Sequence, residues 1–198
     1  MALSKIDVAN MLTGATPVAN GGTGIASGTS GQFLKFTGST TLASAADNAG
    51  KIVKVHTTFP DLSEQTFQTN TFTDVTGLSL TITPASSSSK FLLNCGLQFR
   101  LRASNSVNQP NFAVRFERGG SSVFSTNNYT FGMDVPGTQS GTFLMGIAPM
   151  AYMDSPNTAS QIVYTVAVRT ETDSGADIVD INDDGGNGTF LTALEFTD

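Results

Sequence analysis

The sequence predicts an all-β fold: an antiparallel β-sandwich of the jelly-roll type, preceded by an extended Gly/Thr-rich N-terminal segment. Three observations predict it. From Lys51 onward apolar residues recur at every second position, the period of a strand with one buried and one solvated face. Strand-favouring residues abound, with 27 Thr and 14 Phe. Only 13% of the 198 residues are charged, and four Glu and five Lys are too few for helices laced with i,i+4 ion pairs.

The elements follow in chain order. Residues 4–12 suit a short helix, with Ser4 as N-cap, Asp7 in the first turn and Gly14 past the end. Residues 13–31 are small and flexible, and cannot build a compact core. Residues 32–37 read as a short strand followed by a Gly-Ser turn. A division therefore falls near residue 51, giving an N-terminal segment 1–50 and a sandwich 51–198.

In the second part, 52–58 and 64–73 read as edge strands. Leu78, Leu80 and Ile82 alternate with polar residues. So do Phe91, Leu93, Cys95, Leu97, Phe99 and Leu101. Phe112, Val114 and Phe116 continue the pattern, with Arg115 and Glu117 on the solvent side. Residues 122–131 form another edge strand, Phe143, Met145 and Ile147 supply a further apolar side, and Ile162, Tyr164, Val166 and Val168 the next. Residues 176–181, and Phe190, Thr192, Leu194 and Phe196, complete eight to ten strands. Turns at Pro84-Ala85-Ser86, Arg118-Gly119-Gly120, Asp154-Ser155-Pro156-Asn157 and Asp183-Asp184-Gly185-Gly186 separate them. Two sheets packed face to face bury so many half-apolar strands.

Composition removes several functions. A net charge of −6 and ten scattered basic residues argue against a nucleic-acid partner. No apolar run approaches about 18 residues, so no membrane-spanning helix is expected. One Cys and one His exclude a disulfide framework and a multi-histidine metal centre.

Candidate chemistry is sparse. The Gly-rich residues 20–31 lack the strand, helix and Gly-Lys-Ser/Thr ending of a phosphate loop, and read as a linker. Asp180, Asn182 and Asp184, followed by Gly185, match the first half of a Ca²⁺ loop. The twelfth-position Glu is missing, since Leu191 stands there, so a solvated hairpin tip is the favoured reading. No resident cofactor is expected otherwise. Cys95 falls on an apolar strand side and reads as an inert core thiol, while His56 is free to orient either way. No nucleophile elbow is present, and the four Glu show no sign of a catalytic pair, so no enzyme activity is expected. Arg100, Arg102, Arg115 and Arg118 form a basic strip if their strands are neighbours.

Two stretches carry a family resemblance. Ala2-Leu3-Ser4-Lys5-Ile6-Asp7, Met11-Leu12-Thr13-Gly14, Pro17-Val18-Ala19-Asn20-Gly21-Gly22-Thr23-Gly24 and Gly28-Thr29-Ser30-Gly31-Gln32-Phe33-Leu34 resemble the N-terminal and shaft segments of bacteriophage tail fibres. Gly77-Leu78-Ser79-Leu80-Thr81-Ile82-Thr83-Pro84 with the following Ser run and Lys90-Phe91-Leu92 resembles the head domains of such fibres. So do residues 154–160 and Leu194-Glu195-Phe196. The departure is length, since a single Gly-Gly-Thr-Gly unit replaces a long repeated shaft.

The resemblance implies a virion protein, assembled in the host cytoplasm and exposed outside the cell on the particle. It implies a homotrimer with an outward C-terminal head and an N-terminal anchor. Residues 1–24 would hold another virion protein, a tail adaptor, nozzle or capsid subunit, through Leu3, Ile6, Val8, Met11 and Leu12. Val18, Ile25, Phe33, Leu34 and Phe36 would form the trimeric seam of the stem. Head loops carrying Asn105, Asn108, Asn127 and Tyr129 would contact a host-surface glycan or protein. A short tail fibre is the leading reading; a capsid head fibre or a cement protein is the alternative.

Overall fold

The computed structural model describes residues 28–38, 41–45, 51–103, 110–126, 131–133, 141–171, 177–183 and 188–197. The chain divides into two compact units, 1–51 and 52–198. The expected helix at 4–12 lies outside the described residues.

Among its described residues the first unit contains one antiparallel pair, β1 (Phe33–Phe36) and β2 (Leu42–Ala45), with Phe33 opposite Ala45 and Phe36 opposite Leu42. β1 is the predicted short strand; β2 was not foreseen, because Leu-Ala-Ser-Ala has little strand character of its own. The turn end is closed by Thr37 N–H donating to the Thr41 carbonyl at 2.9 Å.

The second unit is a β-sandwich of two antiparallel sheets, and every secondary-structure element among the described residues is a strand. The larger sheet contains β3 (Lys51–Thr58), β4 (Gln65–Phe67), β6 (Lys90–Ala103), β10 (Phe143–Asp154), β12 (Asp177–Ile181) and β13 (Phe190–Thr197). β6 is its spine. On one side it pairs with β10 along twelve positions, from Phe143 opposite Arg102 to Asp154 opposite Phe91. On the other it pairs first with β13 and then with β12, which lead outward to β3 and β4 respectively. The smaller sheet runs β5 (Thr73–Ile82), β11 (Ile162–Thr170), β7 (Asn111–Arg118), β8 (Ser121–Ser125), with β9 (Phe131–Gly132) also on β7. The expected strand at 122–131 is thus split into β8 and β9, and the one at 64–73 shrinks to β4.

The core lies between the sheets. Phe91, Leu93, Leu97 and Leu101 of β6 meet Leu78, Ile82, Phe112, Phe116, Tyr164 and Val166 of the smaller sheet, all fully buried. Phe91 packs against Tyr164 and Phe99 against Phe112, with ring centroids 5.9 and 4.9 Å apart. Cys95 is buried here as expected, and desolvation pushes its thiol up to about 12.

Three expectations are corrected. On β10, Phe143, Met145 and Ile147 do not face the core; their register partners on β6 are the outward Arg102, Arg100 and Gln98, and Ala148 and Met150 are buried instead. On β13, Phe190, Leu194 and Phe196 are half-buried, whereas Leu191, Ala193 and Glu195 point inward and are buried. Glu117 is not solvated, because Arg115 pairs with it and covers it.

Candidate functional site

The outward side of the larger sheet is where the structure departs most from an ordinary solvated face. It has two ends of different chemistry, both built on β6.

One end is ionic. Arg100 and Asp180 are direct cross-strand partners, and Arg102 lies opposite Ile178, one position further along β12 on the same face. Asp180 Oδ1 accepts from Thr66 Oγ1 at 2.8 Å and from Arg102 Nη2 at 2.9 Å. Asp180 Oδ2 accepts from Arg100 Nε at 3.2 Å and sits 2.7 Å from Arg102 Nε. Asp183 and Glu64 add further carboxylates to Arg100, at 3.0 and 3.6 Å. Burial works against the Arg100 charge, but Asp180, Asp183 and Glu64 outweigh it and hold the guanidinium above its usual pKa. Asp180, Asn182 and Asp183 are therefore buried, which corrects the reading of this stretch as a solvated tip. The chain leaves β12 at Asn182, which adopts φ +60°, its amide N–H reaching the Gln98 carbonyl and its side chain donating to the Leu62 carbonyl. A carboxylate whose lone pairs face two guanidiniums does not fit a Ca²⁺ ligand, so Asp180 serves an ion-pair cluster. Asp184 lies outside the described residues, among which no group of three or more His, Cys, Asp and Glu is placed to hold a metal.

The other end is apolar. Phe190 lies across Gly96, where an added Cβ would stand 2.5 Å from its ring, and the Phe59 ring packs against it with centroids 5.6 Å apart. Ile147 borders the same glycine. Beside it, a shallow depression of about 410 Å³ is lined by Gln98, Phe99, Met145, Gly146 and Ile147.

The four arginines do not make a basic strip. Arg115 and Arg118 belong to the smaller sheet, and each is paired. Arg115 and Arg169 clasp the Phe72 ring from 4.2 and 4.7 Å. Arg118 joins a network between the sheets: it pairs with Asp154, whose Oδ2 also accepts from Tyr164 O–H at 2.6 Å. Burial, helped by the Asp154 carboxylate, pushes the Tyr164 hydroxyl up, so it stays protonated as a donor.

His56 is held by β3 against β13, with Nε2 3.3 Å from Glu195 Oε2. Glu195 Oε1 accepts from Ala85 N–H at 2.6 Å and Ser89 Oγ at 2.7 Å. Burial raises the Glu195 pKa, but these donors and His56 outweigh it and leave it below the ordinary carboxylate value. This hub was missed in the sequence; the Ser run before Lys90 held the only hint.

Of the residues expected in a trimeric stem, Phe33, Leu34 and Phe36 are 57%, 55% and 70% exposed on β1. Val18 and Ile25 lie outside the described residues, as do Leu3, Ile6, Val8, Met11 and Leu12, and the loop residues Asn105, Asn108, Asn127 and Tyr129. No helix among the described residues is long and apolar enough to cross a membrane.

No family model matches the chain, and no curated protein does. Solved structures with a similar arrangement include the insecticidal delta-endotoxin Cry8Ea1 of Bacillus thuringiensis, at 15% identity and TM-score 0.36 over 67% of this chain and 19% of that one. The infectious bursal disease virus (IBDV) T13 particle protein gives 10% identity and TM-score 0.36 over 81% of this chain and 38% of its own. The VP2 subviral particle of that virus gives 11% and 0.34 over 81% and 41%. The chain spans less than half the length of each.

Proposed function

We propose that this chain is a non-enzymatic structural protein of a bacteriophage virion, a short homotrimeric tail fibre or appendage. Residues 1–24 bind another virion protein, the segment to residue 50 forms a stem, and the sandwich is the outward head that attaches to a host-surface glycan or protein. The observation that carries this reading is the β1–β2 pair. A two-stranded sheet is marginal at best by itself, and this one leaves Phe33, Leu34 and Phe36 more than half exposed. Three copies close such a seam where one cannot. One of the stretches that resembles fibre shafts, residues 28–34, overlaps β1 at Phe33 and Leu34.

On this reading attachment is multivalent. Three weak head sites on one particle gain avidity through effective concentration rather than through a deep pocket. A β-sandwich suits this, since loops on such a scaffold vary in contact without deforming its core. The alternative, capsid decoration, uses the same anchor and fold.

Particles assembled without the protein separate the two. Intact particles that no longer adsorb to the host indicate a fibre. Normal adsorption with capsids that burst indicates cement and overturns the attachment role.

A further inference from the structure

One buried carboxylate ties together three segments that are far apart in the chain. Glu195, on the inward side of β13, is fully buried. Its Oε1 takes the Ala85 N–H at 2.6 Å and the Ser89 O–H at 2.7 Å, and its Oε2 stands 3.3 Å from His56 Nε2. Strand β3 and the turn at residues 84–89 thus meet on a single anion. Burying a carboxylate is costly unless such groups answer it, and their bonds are strongest while it carries its charge.

The segments tied in this way are otherwise weakly held. β3 lies at the end of its sheet and pairs with β13 alone. Six of its eight residues are exposed, and only His56 and Thr58 are half-buried. His56 meets the core, its ring centroid 6.2 Å from that of Phe91. On the outer side, Thr57 Oγ1 and Thr192 Oγ1 add one exposed contact at 2.9 Å. β13, by contrast, is registered with β6 at seven positions, from Phe190 to Phe196. Loss of the Glu195 contacts therefore acts on β3 and the turn before it acts on the packed sheets. β3 begins at Lys51, at the boundary between the two compact units, so it is the strand by which the chain enters the sandwich.

We propose that Glu195 and its partners form an acid-sensitive latch, in which protonation of this one carboxylate frees β3 and the 84–89 turn while the two sheets stay packed. A protonated carboxyl loses the charge that strengthens its contacts and gains an O–H that needs an acceptor, which the Ala85 N–H cannot supply. Among the described residues, the surroundings single out Glu195. From β3 it faces His56, and Lys54, two residues earlier on the same side, is exposed. From the turn it faces the Ala85 amide and the Ser89 hydroxyl. From β6 it faces Phe91, its register partner, while Lys90 stands on the opposite side of that strand beside Phe196. Beyond Phe91, Asp154 of β10 is engaged by Arg118 and Tyr164. The groups around Glu195 hold its pKa below the ordinary value, so the latch is closed above about pH 4.5 and opens as pH falls through the folded-state value.

Hydrogen exchange of backbone amides reads the latch segment by segment. Full-length protein is labelled across pH 3–7, rates are corrected for the intrinsic effect of pH, and peptides covering β3, the turn and β7 are followed by mass spectrometry. Protection of β3 and the turn is expected to hold down to about pH 4.5, then to fall by up to about tenfold per pH unit, the limit for one linked proton. β7, within the smaller sheet, is expected to stay protected. In Glu195→Gln, β3 is expected to be open at pH 7 about as far as in the acidified wild type, with no further change on acidification. His56→Ala is expected to open β3 at pH 7 and leave the turn protected, since Ala85 and Ser89 keep their acceptor. β3 and β7 losing protection together would mean global unfolding and overturn the latch. So would β3 protection unchanged down to pH 3, or acid opening that persists in Glu195→Gln. If that variant does not fold, the contrast between β3 and β7 in the wild-type titration decides.

Discussion

Glu195 shows how one side chain sets a property of the whole sandwich. It is fully buried, yet its pKa lies below the usual value, so its stabilising contribution is complete above about 4.5 and lost as pH falls through its folded-state value. Glu195→Gln is expected to flatten the stability-against-pH curve below about pH 4.5 and to lower stability at neutral pH, which urea melts across pH 3–7 check. A wild-type curve already flat in that range would remove the role. Tyr164→Phe leaves Asp154 short of one donor in the buried inter-sheet network and is expected to cost about 1–3 kcal/mol, read from the shift in denaturation midpoint at unchanged slope. Gly96→Ala drives a Cβ into the Phe190 ring, for a loss of about 1–3 kcal/mol.

At the scale of the element, alternation located the strands well but chose the wrong side of two of them. β10 reads Phe-Leu-Met-Gly-Ile-Ala-Pro-Met-Ala-Tyr-Met-Asp, apolar at both parities, so periodicity cannot say which side is buried. Its register with β6 decides, and that register is a long-range property. β13 is ambiguous for the same reason, and its inward set contains a carboxylate that composition places outside. The long β6 was legible because its two sides differ sharply, Phe91, Leu93 and Leu97 against Asn94, Gln98 and Arg100. The acidic stretch looked like a cation loop because carboxylate spacing is visible in sequence, whereas the two guanidiniums that answer it come from a strand 78 and 80 residues away. Asp180→Asn is expected to destabilise the β4–β12–β6 corner by about 1–3 kcal/mol, since it weakens the answer to Arg100 and Arg102. Calcium and chelator are expected to leave the melting temperature unchanged; a chelator-induced drop reversed by added Ca²⁺ would restore the cation reading.

For the whole molecule, the low charge fraction has two sources that the fold separates. In the sandwich, uncharged Ser and Thr occupy solvent positions of strands such as β5, whose Ser79 and Thr81 are exposed. In the larger sheet, the outward row of β10 carries no polar side chain at all, a feature set by its register with β6. The boundary between the two compact units, at residues 51 and 52, falls where small flexible residues give way in the sequence to strand formers. Removal of residues 1–24 is expected to abolish incorporation into particles while the head keeps its melting transition, which sedimentation with particles and calorimetry check together. Imaging of intact purified particles by electron cryomicroscopy tests the central claim most directly. The expected result is threefold density for the 52–198 sandwich projecting outward, tethered by its N-terminal segment to a tail or capsid protein. Particles that carry the chain nowhere on their surface would contradict it.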